Sequence, residues 1–259
     1  MKIVVVSPHR DDAAFSLGLA IGSWLAQGHA VEVVNVFTRS EFAPYSDAES
    51  LHPNDRMSFV SAVLKREEEA WVKLYVGQLG RGKLKLTDLN LKDAPVRLHC
   101  LPAEALTRQP EPTEKVTQKL RRALESSAAE ALMLPLGVGH HVDHLLVREA
   151  CLPTDPRGFP LAFYEDLPRV AAGDGHAELE AAVQAATLLV GVPLQPVFVA
   201  DASDVEAAVV RKQRLALCYD SQVNDATTQQ IADYSRQYGG RERLWANAAW
   251  GKSFSSTGA

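Results

Sequence analysis

The sequence is poor in cysteine and has no long hydrophobic run. Its three cysteines, Cys100, Cys151 and Cys218, lie far apart among 259 residues and form no Cys-x-x-Cys pair. We therefore expect free thiols in a reducing compartment rather than a disulfide framework. No apolar stretch approaches the roughly 18 residues that a membrane span requires, and residues 3–6 are too short for the core of a signal peptide. These absences predict a cytoplasmic protein without a membrane span.

Basic patches and a glycine-rich nucleotide motif are also missing. Lysine and arginine number 27 against 32 aspartates and glutamates, for a net charge of −5, so a nucleic-acid partner is not expected. The turn after the first predicted strand lacks Gly-x-Gly-x-x-Gly, which argues against dinucleotide binding. With 46% hydrophobic residues, no internal repeat and no clear linker, residues 1–259 are predicted to form a single domain.

Short apolar runs alternate with longer helical patterns along the chain. Buried strands are predicted at residues 3–6, 31–37, 131–134, 161–164 and 197–199. Helices are predicted at 13–27, 58–76, 113–127, 178–190, 205–217 and 227–238, with another from residue 145 to a stop at Pro153. Residues 38–55 and 77–95 are interpreted as loops. The alternation predicts an α/β fold: a single-domain, Rossmann-like open sheet, mostly parallel, with helices on both faces.

Two clusters of metal-type side chains follow predicted strands. The first is the run His9 to Asp12, and the second is the run His140 to His144. Because ligands bind at the carboxyl ends of strands in such sheets, one site can draw on both clusters. A catalytic zinc takes three protein ligands and leaves a position for water. One aspartate could bind the metal while its neighbour acts as general base. Spacing alone leaves open which aspartate binds, and whether His141 or His144 does.

These motifs resemble those of a known family. Residues 8–12 are similar to the Pro-His-x-Asp-Asp motif of the LmbE-like, or PIG-L, family of zinc-dependent N-deacetylases, and residues 141–144 to its His-x-Asp-His motif. Residues 66–69 resemble the Arg-x-x-Glu of its second helix. Supporting similarities extend over 164–168, 219–222 and 242–245, so the resemblance covers nearly the whole chain.

The resemblance implies roles for the matched residues. His9, Asp12 and His144 would bind one zinc ion per chain, or another divalent metal. Asp11 would be the general base, and His141 would stabilise the oxyanion and donate a proton, with Asp143 behind it. Arg66 would contact the substrate's polar groups, and its alternative is an ion pair on its own helix. Beyond the matched motifs, Arg39 is a possible substrate contact because loops carry binding residues on such sheets, and its alternative is a solvated side chain. His140, an extra imidazole beside the site, is another possible contact, and its alternative is a loop residue. Tyr45, in the 38–55 loop, is a further possible contact.

Three positions depart from patterns seen in the family: Arg10 stands where a proline is frequent, Ala13 where a glutamate is frequent, and Gly139 where some members carry a tyrosine. The expected function is zinc-dependent removal of an N-acetyl group from a small molecule that contains an amino sugar, and a homo-oligomer is permitted. Two alternatives remain. One is a metal-dependent phosphoesterase, which would need two metals. The other is a catalytically silent sugar- or nucleotide-binding α/β module.

Overall fold

The computed structural model describes residues 1–75, 82–111, 114–173, 175–200 and 203–255. In these residues seven strands form one sheet in the order β3-β2-β1-β4-β5-β7-β6. The strands are β1 (Lys2–Ser7), β2 (Ala30–Asn35), β3 (Lys83–Asp88), β4 (Ala131–Pro135), β5 (Leu161–Tyr164), β6 (Gln195–Val199) and β7 (Glu242–Ala246). Strands β1 to β5 pair in parallel, and β7 pairs antiparallel with both β5 and β6, so that it runs opposite to the other six described strands. The predicted open, mostly parallel α/β sheet is confirmed.

Helices connect most of the strands. They are α1 (Asp12–Ala26), α2 (Pro53–Lys73), α3 (Ala94–Leu98), α4 (Glu114–Ser127), α5 (Val142–Ala150), α6 (Gly175–Val190), α7 (Val205–Ala216), α8 (Asp225–Arg236) and α9 (Ala248–Ser255). Short 3₁₀ helices occupy Asp47–Ser50, Pro102–Leu106, Arg169–Ala171 and Leu217–Tyr219. Among the helices described, none is long and apolar enough to cross a membrane.

The central strands are buried along nearly their whole length. Residues 3–6 of β1 and 161–164 of β5 are each 0% exposed. Because successive side chains of a strand point to opposite faces, burial of consecutive residues means that both faces of the sheet are covered. This burial explains why these strands could be predicted from uninterrupted apolar runs, and it makes the sheet a rigid base for the loops at its edge.

The sequence prediction missed β3, α3, β7 and α9 and was wrong about parts of the 38–55 and 77–95 loops. Strand β3 alternates lysine and leucine at a sheet edge, and β7 buries only alternate residues, so neither has the continuous apolar run of a central strand. Helix α2 begins at Pro53, inside the predicted loop. Proline suits the first helical turn, and the ring of His52 accepts a hydrogen bond from the Asn54 amide there. The predicted helix limits at 76 and 113, and residues 77–81, lie outside the described residues.

Candidate metal centre and active site

The two clusters predicted from sequence meet at one point of the sheet edge. Strands β1 and β4 are parallel neighbours, with Ile3 opposite Ala131. The chain continues outward from β1 to β2 on one side and from β4 to β5 on the other. This reversal of strand order leaves a crevice at the carboxyl ends of the strands, the usual ligand site of open α/β sheets. The loop 8–11 and the loop 136–141 face each other across it.

Three side-chain atoms in the crevice form a nearly equilateral triangle. Nδ1 of His9 lies 3.2 Å from Oδ2 of Asp12 and 3.3 Å from Nε2 of His144. The third side, from His144 Nε2 to Asp12 Oδ2, is 3.4 Å. Tetrahedral zinc with bonds of about 2.0–2.1 Å needs donor atoms about 3.3 Å apart. The three donors therefore have the chemistry and the spacing to hold one such ion, with the fourth position left to a water or a substrate.

Two outer carboxylates orient the histidines of this triangle. Nε2 of His9 lies 3.2 Å from Oδ2 of Asp143, and Nδ1 of His144 lies 2.6 Å from Oδ1 of Asp166. Each carboxylate can accept the hydrogen of one ring nitrogen, so in the neutral ring the nitrogen that points into the triangle has a lone pair available for a metal ion. Such carboxylate–histidine pairs are the usual second layer of a metal site.

The outer carboxylates are themselves held by the fold. Asp143 is fully buried and accepts hydrogen bonds from the Ala94 amide at 2.8 Å and from Arg97 at 2.7 Å. Asp166 accepts from the amides of Gly137 and Val138 at 2.7 and 2.9 Å. The sequence analysis gave Asp166 no role. Its position directly beyond β5, a third strand that ends at the same edge, is the signal that could have revealed it.

The charge around the triangle favours a cation. Burial lowers the pKa of His9, but Asp12 and Asp143 raise it well above its ordinary value. Burial would raise the pKa of Asp12, but His144 and His9 hold it well below its usual range. A bound metal ion would supply the positive charge that these carboxylates attract.

Arg10 fixes the first loop from a buried position. Its guanidinium donates to Glu68 on α2 and, at 2.6 Å, to Asp88 at the end of β3. Its carbonyl oxygen accepts a 2.9 Å hydrogen bond from the hydroxyl of Tyr219. Arg10 therefore links the loop between His9 and Asp12 to three separate elements.

Two further groups stand beside the triangle with proton-transfer chemistry. Burial and the neighbouring Asp12 raise the pKa of Asp11 to about 6. Burial and the charges of His9 and His144 lower the pKa of His141 to about 2, so this ring is neutral. His141 caps α5, and its Nδ1 accepts the Asp143 amide at 3.2 Å. The remaining hydrogen of the ring is then on Nε2, which makes that nitrogen a donor.

A cavity of about 590 Å³ opens from the triangle. His9, Asp11, Asp12, His141, His144 and Asp166 line it at the metal end. Arg169 also lines it, and in the described part of the chain its guanidinium has no hydrogen-bond or ion-pair partner. The sequence analysis did not single out Arg169, because a lone arginine in a turn carries no pattern.

Three predicted substrate contacts lie outside this lining. Arg66 is exposed on α2, because the helical period turns its neighbours Glu67 and Glu68 inward instead. Arg39 and His140 are also exposed, and His140 has a left-handed backbone with φ of 55°. By contrast, Tyr45 does line the cavity.

The carboxylate of Asp143, placed behind His141 by the resemblance, contacts His9 instead, and only its backbone amide reaches the ring of His141.

Fold and site together define an α/β protein with a His-His-Asp metal-type centre at the switch point of a mostly parallel sheet. Residues 4–153 match the family model of PIG-L, GlcNAc-PI de-N-acetylase. This match covers more than half of the chain, and the protein belongs to that family.

Similar proteins extend the match over nearly the whole chain. The chain is 31% identical over 257 residues to 2'-N-acetylparomamine deacetylase of Streptomyces fradiae, with 96% of this chain and 83% of that protein covered. Its fold resembles a deacetylase of the teicoplanin biosynthesis pathway, with a TM-score of 0.63, 20% identity, and coverage of 95% and 97% of the two chains. A zinc-inhibited form of teicoplanin deacetylase matches with a TM-score of 0.61, 20% identity and the same coverage.

Proposed function

We propose that this protein is a zinc-dependent hydrolase that removes an N-acetyl group from a small molecule containing an amino sugar. The observation that carries the proposal is the triangle of His9, Asp12 and His144 donors, about 3.3 Å on each side. Membership of a de-N-acetylase family supports the reaction type. The relative that acts on 2'-N-acetylparomamine supports the amino-sugar substrate.

Each residue of the site has a part in the proposed reaction. Bound zinc would supply a positive charge that polarises the acyl carbonyl and lowers the pKa of water. Asp11 accepts a proton from the water as the water oxygen attacks the carbonyl carbon. The Nε2–H of His141 donates to the oxygen that becomes negative, which is the main source of stabilisation in acyl transfer. The proton held by Asp11 then passes to the nitrogen as the C–N bond breaks, which leaves acetic acid and a free amine; these exchange one proton to become acetate and an ammonium group.

The alternatives have less support. In the described residues, two groups of side chains could hold a metal ion, His9 with His141 and His144, and His9 with Asp11 and Asp12. Because the two groups share His9, they describe one centre and not the two-metal site of a phosphoesterase. A silent binding module would not need a general base, yet Asp11 stands beside the triangle with a pKa of about 6. We therefore propose one zinc ion per chain.

The test combines metal content with amine release. The purified protein is analysed for zinc and assayed on N-acetylglucosamine, 2'-N-acetylparomamine and a panel of phosphoesters, before and after chelation. We expect one zinc per chain, amine release that chelation abolishes and zinc restores, and no phosphate release. Two metals with phosphate release would establish the phosphoesterase. A protein that takes up no metal and releases no amine would refute the hydrolase.

A further inference from the structure

Helix α3 lies beside the metal centre, in a segment that the sequence analysis interpreted partly as a loop. The N-cap of this helix, Asp93, and its second residue, Pro95, line the cavity. One turn further along, Arg97 reaches the carboxylate of Asp143. The proposed reaction gives Arg97 no role, although its guanidinium pairs with a carboxylate that touches a metal ligand.

The two oxygens of the Asp143 carboxylate have different partners. Oδ2 accepts a hydrogen bond from the Ala94 amide at 2.8 Å and lies 3.2 Å from Nε2 of His9. Oδ1 accepts from Nη2 of Arg97 at 2.7 Å. Arg97 therefore fixes the rotation of the carboxylate about its Cβ–Cγ bond, and this rotation decides how the other oxygen meets the imidazole.

The guanidinium of Arg97 is itself held in a plane by two further contacts. Its Nη1 donates to the carbonyl oxygen of Lys92 at 2.9 Å, and its Cζ lies 4.6 Å from the centroid of the Phe37 ring. Phe37 is 1% exposed, and its ring centroid is 6.3 Å from that of His9. A planar, delocalised cation suits a position that combines stacking with directed hydrogen bonds, and a lysine ammonium reproduces only its charge.

Arg97 also supplies positive charge in a place from which water is excluded. The side chain of Asp143 is 0% exposed and that of Arg97 is 18% exposed. Removing one partner of a buried ion pair leaves an uncompensated charge, which is strongly unfavourable. The Asp143 carboxylate can therefore stay negative beside the metal centre because Arg97 offsets its charge.

The second histidine ligand is oriented in a different way. Asp166, which lies behind His144, is held by the backbone amides of Gly137 and Val138. Any residue other than proline supplies such an amide. The orientation of His9, by contrast, depends on a side chain that belongs to neither sequence motif.

We propose that Arg97 is a positioning residue of the metal centre: it holds the Asp143 carboxylate so that Nδ1 of His9 points into the donor triangle. This inference rests on the proposed function only through the bound zinc, because it concerns metal affinity and not the reaction. It assigns α3 two tasks. The helix places Asp93 and Pro95 in the cavity wall, and through Arg97 it sets how firmly the ion is held.

The test compares two variants of similar side-chain length, Arg97→Met and Arg97→Lys. Zinc affinity of the full chain is measured by competition with a chromophoric chelator. We expect Arg97→Met to weaken zinc binding about 5- to 50-fold, somewhat less than the 10- to 100-fold typical of a direct partner of a metal ligand. Arg97→Lys should bind zinc at least threefold more tightly than Arg97→Met, because it keeps a positive charge opposite Asp143. Arg108→Met is the matched control, since Arg108 is exposed and pairs with the exposed Glu104.

A double-mutant cycle shows whether Arg97 acts through Asp143. Zinc affinity is measured for Asp143→Asn with and without Arg97→Met. If Arg97 acts through the carboxylate, its loss should weaken zinc binding less than twofold in the Asp143→Asn background. A merely structural role of Arg97 gives the same loss in both backgrounds. If Arg97→Met does not fold, Arg97→Gln takes its place, because it keeps a hydrogen-bond donor and still lacks the charge.

Three results would overturn the inference: an Arg97→Met protein that folds and binds zinc within twofold of the wild type, an Arg97→Lys protein that binds no more tightly than Arg97→Met, or equal losses in both backgrounds. The inference and the proposed function fail separately. A protein that binds zinc but releases no amine refutes the proposed function, while the cycle still decides the role of Arg97. An active enzyme with equal losses in both backgrounds refutes the inference alone.

Discussion

Replacing Asp166 by asparagine tests whether the outer carboxylate controls the metal centre. Oδ2 of Asp166 accepts hydrogen bonds from two backbone amides, at 2.7 and 2.9 Å, and Oδ1 faces Nδ1 of His144 at 2.6 Å. Asparagine can satisfy the two amides only with its oxygen, which turns its NH₂ group toward His144. An NH₂ donor at that place requires Nδ1 to accept, so the ring proton moves to Nε2. The lone pair that points into the triangle is then lost.

The expected size of the effect follows from the contacts that change. Loss of an outer-shell partner costs about 10- to 100-fold in metal affinity, equivalent to about 1.4–2.7 kcal/mol of binding free energy. The two backbone hydrogen bonds survive in Asp166→Asn, so the metal-free protein should lose only about 1 kcal/mol of unfolding free energy. Affinity and stability should therefore respond differently to this one substitution.

The assay is zinc affinity, measured by competition with a chromophoric chelator, together with urea unfolding of the metal-free protein. Asp155→Asn is the control, since Asp155 is exposed and also accepts from two backbone amides, those of Arg157 and Gly158. We expect the control to bind zinc as the wild type does. An Asp166→Asn protein that folds and binds zinc within twofold of the wild type would show that the carboxylate does not set the tautomer of His144.

Three further predictions concern the base, the pH dependence of stability and the packing. Asp11→Asn should keep its zinc but lose about 10²- to 10⁴-fold in kcat, and a near wild-type rate would place the base elsewhere. Burial raises the pKa of Glu67 from 4.5 to about 7, so stability should fall as pH rises between these values, because the native state holds a proton that the unfolded chain releases. Glu67→Gln should flatten that slope in urea titrations at pH 4.5 to 8, whereas the exposed Glu69→Gln should not. Gly82→Ala should destabilise the fold by about 1–3 kcal/mol, because the added Cβ would meet the Leu25 carbonyl oxygen at 2.5 Å. Gly173→Ala is the control, since its Cβ meets nothing within 4 Å. Equal melting temperatures of the two variants would contradict this prediction.

Fold class and the position of the site could be predicted because both depend on local patterns. Buried parallel strands leave continuous apolar runs, and their carboxyl ends meet at one edge. Two motifs that follow such runs must therefore lie near that edge, even though His9 and His144 are separated by 135 residues. Strands β3 and β7 could not be predicted in this way, because β3 lies at a sheet edge and β7 buries only alternate residues.

The choice among metal ligands could not be made from sequence spacing, because it depends on the direction in which the backbone points each side chain. Asp11 and Asp12 are adjacent in sequence, yet only Asp12 completes the triangle, since the turn into α1 directs its carboxylate toward His9 and His144. Asp143 is similarly ambiguous: its neighbour in sequence is His141, but helical geometry at the start of α5 sends its carboxylate to His9. In both cases the backbone turn, and not the motif, assigns the partner.

Arg10 shows why the residues that support a site are harder to predict from sequence than its metal ligands. An arginine beside two aspartates suggests an exposed or substrate-binding side chain, whereas Arg10 is 4% exposed. Its partners come from α2, from the end of β3 and from the 3₁₀ helix that precedes α8. The lining of the cavity is assembled in the same way, from loops joined across about 180 residues. Metal donors must follow strands at fixed places, but these supporting contacts can come from any element that packs nearby. Specificity can therefore change through residues far from both motifs while the donor set stays the same.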